Sequence, residues 1–260
     1  MSEENGAVVS RENRFVQFLK KNFLHIIYCS VILALAVTAT LLAVALARAD
    51  DDSGLSDHIK YYNAKCESYS TQNFNLSRGQ IVFIGDSITD LCPLDDYYAD
   101  LDLACYNRGI GGDTTSGVLA RLEVSVFDLA PSKVVLLIGT NDINGNVENE
   151  KILENYGRIL SEIRTKLPDT EIYMMSVIPQ NEDLETYSEI KVAETTERIL
   201  SLNVELRNLA VNDEKIHYFD LFSLLADENN RLKKQYSDDG IHLNAGGFAV
   251  WSGLIKPSLK

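Results

Sequence analysis

Ile81-Val82-Phe83-Ile84-Gly85-Asp86-Ser87-Ile88-Thr89-Asp90 sets four apolar residues in front of a glycine, an acid and a serine. A short unbroken apolar run closed by a turn signal reads as a strand buried on both faces, and Gly-Asp-Ser then turns the chain sharply towards a helix. Ser87 would stand at the carboxyl end of a strand and the amino end of a helix. In open α/β sheets ligands bind in the crevice at that end, where unpaired helix N–H groups favour developing negative charge. Ser87 is therefore a candidate nucleophile, although the tripeptide alone is a common turn.

A hydroxyl nucleophile needs a general base, normally a histidine oriented by a carboxylate, and donors aimed at the oxyanion. The chain has 4 histidines, so the search is short. His25 lies inside a long apolar segment, His58 in the polar stretch after it, and His217 in Lys215-Ile216-His217-Tyr218-Phe219, which reads as a strand. His242 lies in Tyr236-Ser237-Asp238-Asp239-Gly240-Ile241-His242-Leu243-Asn244, a polar loop that can present a side chain to a cleft. Asp239, three residues before it, is near enough to reach the imidazole Nδ1, and Asp238 is a rival for that role. No second histidine stands nearby at ligand spacing, so no metal and no other cofactor is expected.

Two segments offer oxyanion donors. Tyr106-Asn107-Arg108-Gly109-Ile110-Gly111-Gly112-Asp113-Thr114-Thr115 has glycines that let backbone approach a ligand, and it lacks the Gly-Lys-Ser/Thr ending and the glycine spacing of nucleotide loops. Lys133-Val134-Val135-Leu136-Leu137-Ile138-Gly139-Thr140-Asn141-Asp142 is another buried strand ending in small and polar residues, with Asn141 either capping the turn or offering its amide. The flanks of Ser87 do not match the Gly-x-Ser-x-Gly elbow of the large α/β-hydrolases.

Taken in order, these four blocks resemble the SGNH (GDSL-type) hydrolase superfamily over about residues 78–258. The serine, glycine, asparagine and histidine of that name match Ser87, Gly112, Asn141 and His242. The resemblance implies a triad of Ser87, Asp239 and His242, and an oxyanion hole from the Ser87 and Gly112 backbone N–H groups and the Asn141 amide. Leu243 departs from the proline of many relatives, which bears on loop stiffness more than on chemistry. Gly-Ile-Gly-Gly-Asp-Thr-Thr and Gly-Thr-Asn-Asp look closest to the branch of platelet-activating-factor acetylhydrolase catalytic subunits and bacterial acetylesterases, which hints at short acyl groups.

Beyond the blocks, apolar runs and helical periods alternate. Strands are expected near 81–85, 103–107, 133–138, 171–177 and 216–220, and helices near 114–128, 149–166, 185–211 and 244–255. Alternation implies a parallel sheet covered on both faces. The expected fold is thus a three-layer α/β/α sandwich with a five-stranded parallel sheet, and the resemblance implies flavodoxin-like strand order 2-1-3-4-5. Ile199, Leu202, Leu206 and Leu209 recur at helical spacing and read as core.

No charged residue occurs from Asn22 to Ala47, and about 26 helical residues at ~1.5 Å each exceed the ~30 Å hydrocarbon thickness. Arg11, Arg14, Lys20 and Lys21 precede this segment while Asp50, Asp51 and Asp52 follow soon after, so the positive-inside rule puts the amino terminus in the cytoplasm and the remainder outside the cell membrane. The rival reading is a signal peptide cleaved near Ala47-Arg48-Ala49, giving a secreted protein. The expected organisation is a tail at 1–21, a signal anchor at 22–48, a linker and packing segment at 49–77 and the hydrolase domain at 78–260. Asn75-Leu76-Ser77 fits a glycosylation acceptor.

The whole chain carries a net charge of −14; removing the first 49 residues, with 5 basic and 3 acidic side chains, from totals of 24 and 38 leaves 19 and 35, a net of −16. Such a domain repels nucleic acid and anionic membrane surfaces, while the resemblance implies a small acyl ester of a glycan or lipid as substrate. Arg108 offers local basicity at a cleft, or else a solvent-facing or salt-bridged side chain. Among 4 cysteines, Cys29 lies in the anchor, leaving Cys66, Cys92 and Cys105 with their disulfide state open. Three functions fit: an anchored esterase, an acyltransferase on the same triad, and a catalytically idle binding domain. The oligomeric state is not legible.

Overall fold

In the computed structural model the residues described are 57–181, 183–184, 192–211 and 213–260, together with 21–23, 32–33, 35–40 and 42. The chain divides into two units, Met1–Ile59 and Lys60–Lys260. In the first, the described residues between 21 and 42 are helical, and Phe23, Ile32, Leu33, Leu35, Val37 and Leu42 expose their side chains. The expected tail and membrane-spanning segment lie largely outside the described residues. Among those described, no helix is long and apolar enough to cross a membrane.

The second unit takes in helix α1 (57–73) from Lys60 onwards. Its sheet has five strands, β1 (Ile81–Gly85), β2 (Cys105–Gly109), β3 (Lys133–Leu137), β4 (Glu171–Met175) and β5 (Ile216–Phe219), all parallel in the order β2-β1-β3-β4-β5. Between them run α2 (Ser87–Asp90), α3 (Leu94–Tyr98), α4 (Thr115–Ala120), α5 (Thr140–Asn144), α6 (Asn149–Lys166) and α7 (Val192–Ala210), while α8 (Leu221–Leu225) follows β5 and α9 (Ala245–Leu259) follows the last loop.

Strand periodicity divides the core in two. Val82, Ile84, Val134, Leu136, Ile172 and Met174 face one way and pack with Ile159 and Ile163 of α6 and Ile199, Leu202 and Leu206 of α7. Ile81, Phe83, Val135, Leu137, Tyr173 and Met175 face the other way and pack with Phe248, Trp251 and Ile255 of α9. Every residue of β1 is buried, as its unbroken apolar run requires. The expected three layers and strand order are therefore present.

Three local readings change. The second strand runs 105–109 instead of 103–107, because parallel pairing with β1 carries it to Gly109, opposite Gly85. The single helix expected over 114–128 is α4 followed by a π-helical turn, Glu123–Phe127, in which Asp128 N donates to the Glu123 carbonyl at 3.0 Å. The segment expected to link and pack contains α1, anchored by buried Tyr69. The 185–191 start of the expected fourth helix lies outside the described residues. Cys66, Cys92 and Cys105 are free thiols, and Asn75 is exposed.

Candidate active site

Gly85 at the end of β1 pairs with Gly109 of β2 on one side and Leu137 of β3 on the other. The loops bearing Ser87, Gly112 and Asn141 thus leave the same edge of the sheet from neighbouring strands. Asp86 has extended backbone and caps α2, its Oδ1 accepting from Ile88 N at 3.0 Å, so Ser87 becomes the first helical residue. Burial pushes the Asp86 carboxyl up to about 7, against the lowering effect of the Ile88 hydrogen bond.

Ser87 Oγ lies 2.9 Å from His242 Nε2, and His242 Nδ1 lies 2.6 Å from Asp239 Oδ2. In a neutral imidazole both contacts are satisfied when Nδ1–H donates to the carboxylate and Nε2 accepts from the serine hydroxyl. The other carboxylate oxygen, Oδ1, accepts from Ile241 N at 2.9 Å and His242 N at 2.8 Å, which fixes the acid relative to the backbone of its own loop. Burial works to raise the Asp239 pKa, but the His242 hydrogen bond and the two N–H donors outweigh it and hold the carboxyl below its ordinary value. Asp238 is exposed and accepts from Asn244 Nδ2 at 3.4 Å, so Asp239 is the partner of the histidine.

Gly240 lets this loop form. Its φ is +85°, and a Cβ there would stand 2.1 Å from the Asn181 carbonyl oxygen. Asn181 N donates to the Gly240 carbonyl at 2.9 Å, joining the loop to the chain after β4. Past His242, Asn244 caps α9 by accepting from Gly246 N at 2.9 Å and Gly247 N at 3.2 Å.

Gly112 turns the loop after β2 with φ +75°. The next residue, Asp113, pairs with Arg121 Nε at 2.7 Å, with side chains 2% and 1% exposed. Arg121 also donates from Nη1 to the Arg108 carbonyl at 2.8 Å and to Ser125 Oγ at 2.9 Å, and from Nη2 to the Gly85 carbonyl at 3.0 Å. One guanidinium thereby holds the ends of β1 and β2 and the loop that follows β2. Burial pushes the Asp113 carboxyl up, with the Arg121 charge and hydrogen bond pulling it back.

Asn141, in the first turn of α5, donates from Nδ2 to the Asp113 carbonyl at 2.9 Å, which ties its amide to the residue beside Gly112. Asp142 reinforces the tie by accepting from Thr115 N at 2.9 Å and Thr115 Oγ1 at 2.6 Å. Arg121, Asp142 and Thr115 were not singled out by sequence. The available signal was a lone arginine two helical turns after Asp113 in an otherwise apolar and small-residue stretch.

Other expectations resolve as follows. His217 sits near the starting end of β5, away from Ser87, where its Nε2 lies 3.0 Å from Glu171 Oε2. His58 is exposed on α1. Arg108 is neither a basic group at the cleft nor a solvent-facing or salt-bridged side chain: it is buried, donates to Gln72 Oε1 at 3.2 Å and Asn73 Oδ1 at 3.0 Å, and lies over the Tyr69 ring at 4.6 Å. Aromatic stacking and amide acceptors accommodate its charge without a carboxylate. Among the described residues no group of three or more His, Cys, Asp or Glu is arranged to hold a metal ion.

The family model for GDSL-like lipases and acylhydrolases matches residues 83–250. The platelet-activating factor acetylhydrolase IB subunit alpha2 of Rattus norvegicus is 28% identical over 174 residues, covering 65% of this chain and 71% of the relative. A solved GDSL-like lipase from Bacteroides thetaiotaomicron is 25% identical, with a TM-score of 0.66 over 76% of this chain and 98% of its own. A solved Streptococcus pneumonia protein, described as a presumed platelet activating factor, is 30% identical, with a TM-score of 0.75 over 82% of this chain and 99% of its own. By family match, fold and relatives, the chain belongs to the GDSL-like lipase/acylhydrolase family, within the SGNH hydrolases, and is a carboxylic ester hydrolase.

Proposed function

We propose that the protein is a membrane-anchored serine esterase whose catalytic domain lies outside the cell and removes short acyl groups, acetyl among them, from a glycan or lipid. The observation that carries the catalytic part is the continuous chain from Ser87 Oγ through His242 to Asp239, at 2.9 Å and 2.6 Å. His242 takes the hydroxyl proton as Ser87 attacks the ester carbonyl and returns it to the departing alcohol. Asp239 holds the imidazole in the required tautomer and stabilises its charged form. The oxyanion is met by the Ser87 and Gly112 N–H groups and the Asn141 amide. Water, activated by the same histidine, then frees the acid from the acyl-enzyme.

The acyl preference is supported by relatives named as acetylhydrolases. Anchoring is supported by the uncharged stretch Asn22–Ala47, its basic and acidic flanks, and the exposed apolar side chains of the helical residues described within it. The test is fluorophosphonate labelling of the full chain in detergent beside Ser87→Ala and His242→Ala, followed by hydrolysis of p-nitrophenyl esters from acetate to octanoate. Labelling and turnover that fall with chain length and vanish in both variants are expected. An unlabelled, folded wild-type protein would sink the catalytic reading, and a preference for octanoate would sink the acyl assignment.

A further inference from the structure

Helix α1 lies before the span matched by the family model, yet its polar side chains reach the loop that bears Gly112. Tyr61 donates from its hydroxyl to Asp90 Oδ2 at 2.6 Å, and Lys65 Nζ meets Asp90 Oδ1 at 2.6 Å. The backbone N–H of Gly111 donates to the same Oδ2 at 3.3 Å. Tyr62 donates to the Gly117 carbonyl at 2.9 Å, and Tyr69 donates to the Gly109 carbonyl. Asp90 is the last residue of α2, whose first is Ser87. A single carboxylate therefore joins the helix of the nucleophile, the residue preceding Gly112, and α1.

We infer that Tyr61 and Lys65 are positioning residues for the reaction, acting through Asp90 to aim the Gly111–Gly112 backbone at the developing oxyanion. The inference rests on the reading of Ser87 as nucleophile and Gly112 N–H as an oxyanion donor. Two physical effects are combined. Tyr61 and Lys65 occupy both oxygens of Asp90, so the carboxylate has one orientation in which to accept from Gly111. Lys65 also balances a negative charge one helical turn from Ser87, which would otherwise oppose the negative charge that forms on the substrate. The ring of Tyr61 lies beside Gly111, with its Cε1 3.6 Å from where a Cβ on that glycine would stand, so little space separates α1 from the loop.

The experiment compares the full chain carrying Tyr61→Phe, Lys65→Met, Lys65→Arg or Lys65→Met with Asp90→Asn, in detergent, with p-nitrophenyl acetate. Thermal melting of each variant verifies folding; Tyr61→Phe removes one hydroxyl from a partly exposed side chain and serves if Lys65→Met melts early. A misplaced donor is expected to lower kcat about tenfold with KM changed less than about twofold. Lys65→Met should show this fall, Lys65→Arg should restore most of it, and removing the Asp90 charge alongside Lys65→Met should recover part of it. A merely structural role would lower melting temperature without that recovery. Wild-type kcat in both Tyr61→Phe and Lys65→Met, with turnover still dependent on Ser87, overturns the inference alone; turnover that survives Ser87→Ala overturns the functional reading beneath it.

Discussion

Asp86 links the stability of the protein to pH from a position next to Ser87. Its carboxyl is 1% exposed, its Oδ2 has no hydrogen-bond partner among the described residues, and burial raises it from 3.8 to about 7. A raised acid favours the folded state in its protonated form, so its contribution is full below about pH 4 and is lost as the pH rises through about 7. Asp86→Asn keeps a side-chain acceptor for Ile88 N and removes the titration. Urea unfolding between pH 4 and 7 should therefore show the variant losing about 1.4 kcal/mol less per pH unit than wild type; parallel profiles would refute a raised Asp86. On the proposed reading Asn141→Ala removes an oxyanion donor, a loss that typically costs ~2.7–4 kcal/mol of barrier. Turnover should fall about a hundredfold or more while the fold is kept and the melting temperature drops by only a few degrees, from loss of the bond to the Asp113 carbonyl, and wild-type turnover would remove Asn141 from the site. That Ser87, Asp239 and His242 meet was legible because each stands in a short motif whose neighbours carry the signal. Arg121 and Asp90 were not, since their partners are brought to them by strand register and by a helix outside the motifs. Arg108 illustrates the same limit: sequence shows a charge, and only packing shows that Tyr69, Gln72 and Asn73 surround it.

Elements with one strong period were readable and composite ones were not. The helix expected at 149–166 is found with those bounds, since Ile152, Ile159 and Ile163 keep a helical spacing and are fully buried. The π-helical turn after α4 was missed because a change from i+4 to i+5 bonding leaves the residue types unchanged. A sharper reading of 57–73 was available: Tyr62, Cys66 and Tyr69 recur at spacings of four and three, a helical pattern hidden by polar neighbours. The loop between the 3-10 turn Lys234–Tyr236 and α9 depends on Gly240, where positive φ and the nearby Asn181 carbonyl leave no room for a side chain. Gly240→Ala should displace Asp239 and His242 together. Fluorophosphonate labelling of Ser87 is expected to fall at least tenfold while far-UV circular dichroism stays as in wild type, an estimate in line with the cost of misplaced catalytic groups. Unchanged labelling would mean that the loop adapts around a methyl group.

Across the whole molecule, the two-sided core follows from the alternation of apolar runs with helical periods and the strand order from the family resemblance, whereas attachment to a membrane is a proposal with its own test. Anchoring by 22–48 predicts that the full chain stays in the membrane pellet through an alkaline carbonate wash and leaves it only with detergent, and recovery in the wash supernatant would exclude an integral anchor. The net charge of −16 outside the first 49 residues argues against electrostatic adhesion to anionic lipid as the alternative. The hydrogen bond between Ser87 and His242 joins residues 155 positions apart, whereas the strands bearing Ser87, Gly112 and Asn141 are neighbours in both sequence and space. Domains form from the amino-terminal side during synthesis at ~5–20 residues per second. The ribosome therefore finishes Ser87, Gly112 and Asn141 roughly 5–20 seconds before it reaches His242. On the proposed reading Ser87 has no reactivity through that interval, and hydrolysis waits for a base supplied by a residue translated long after the serine.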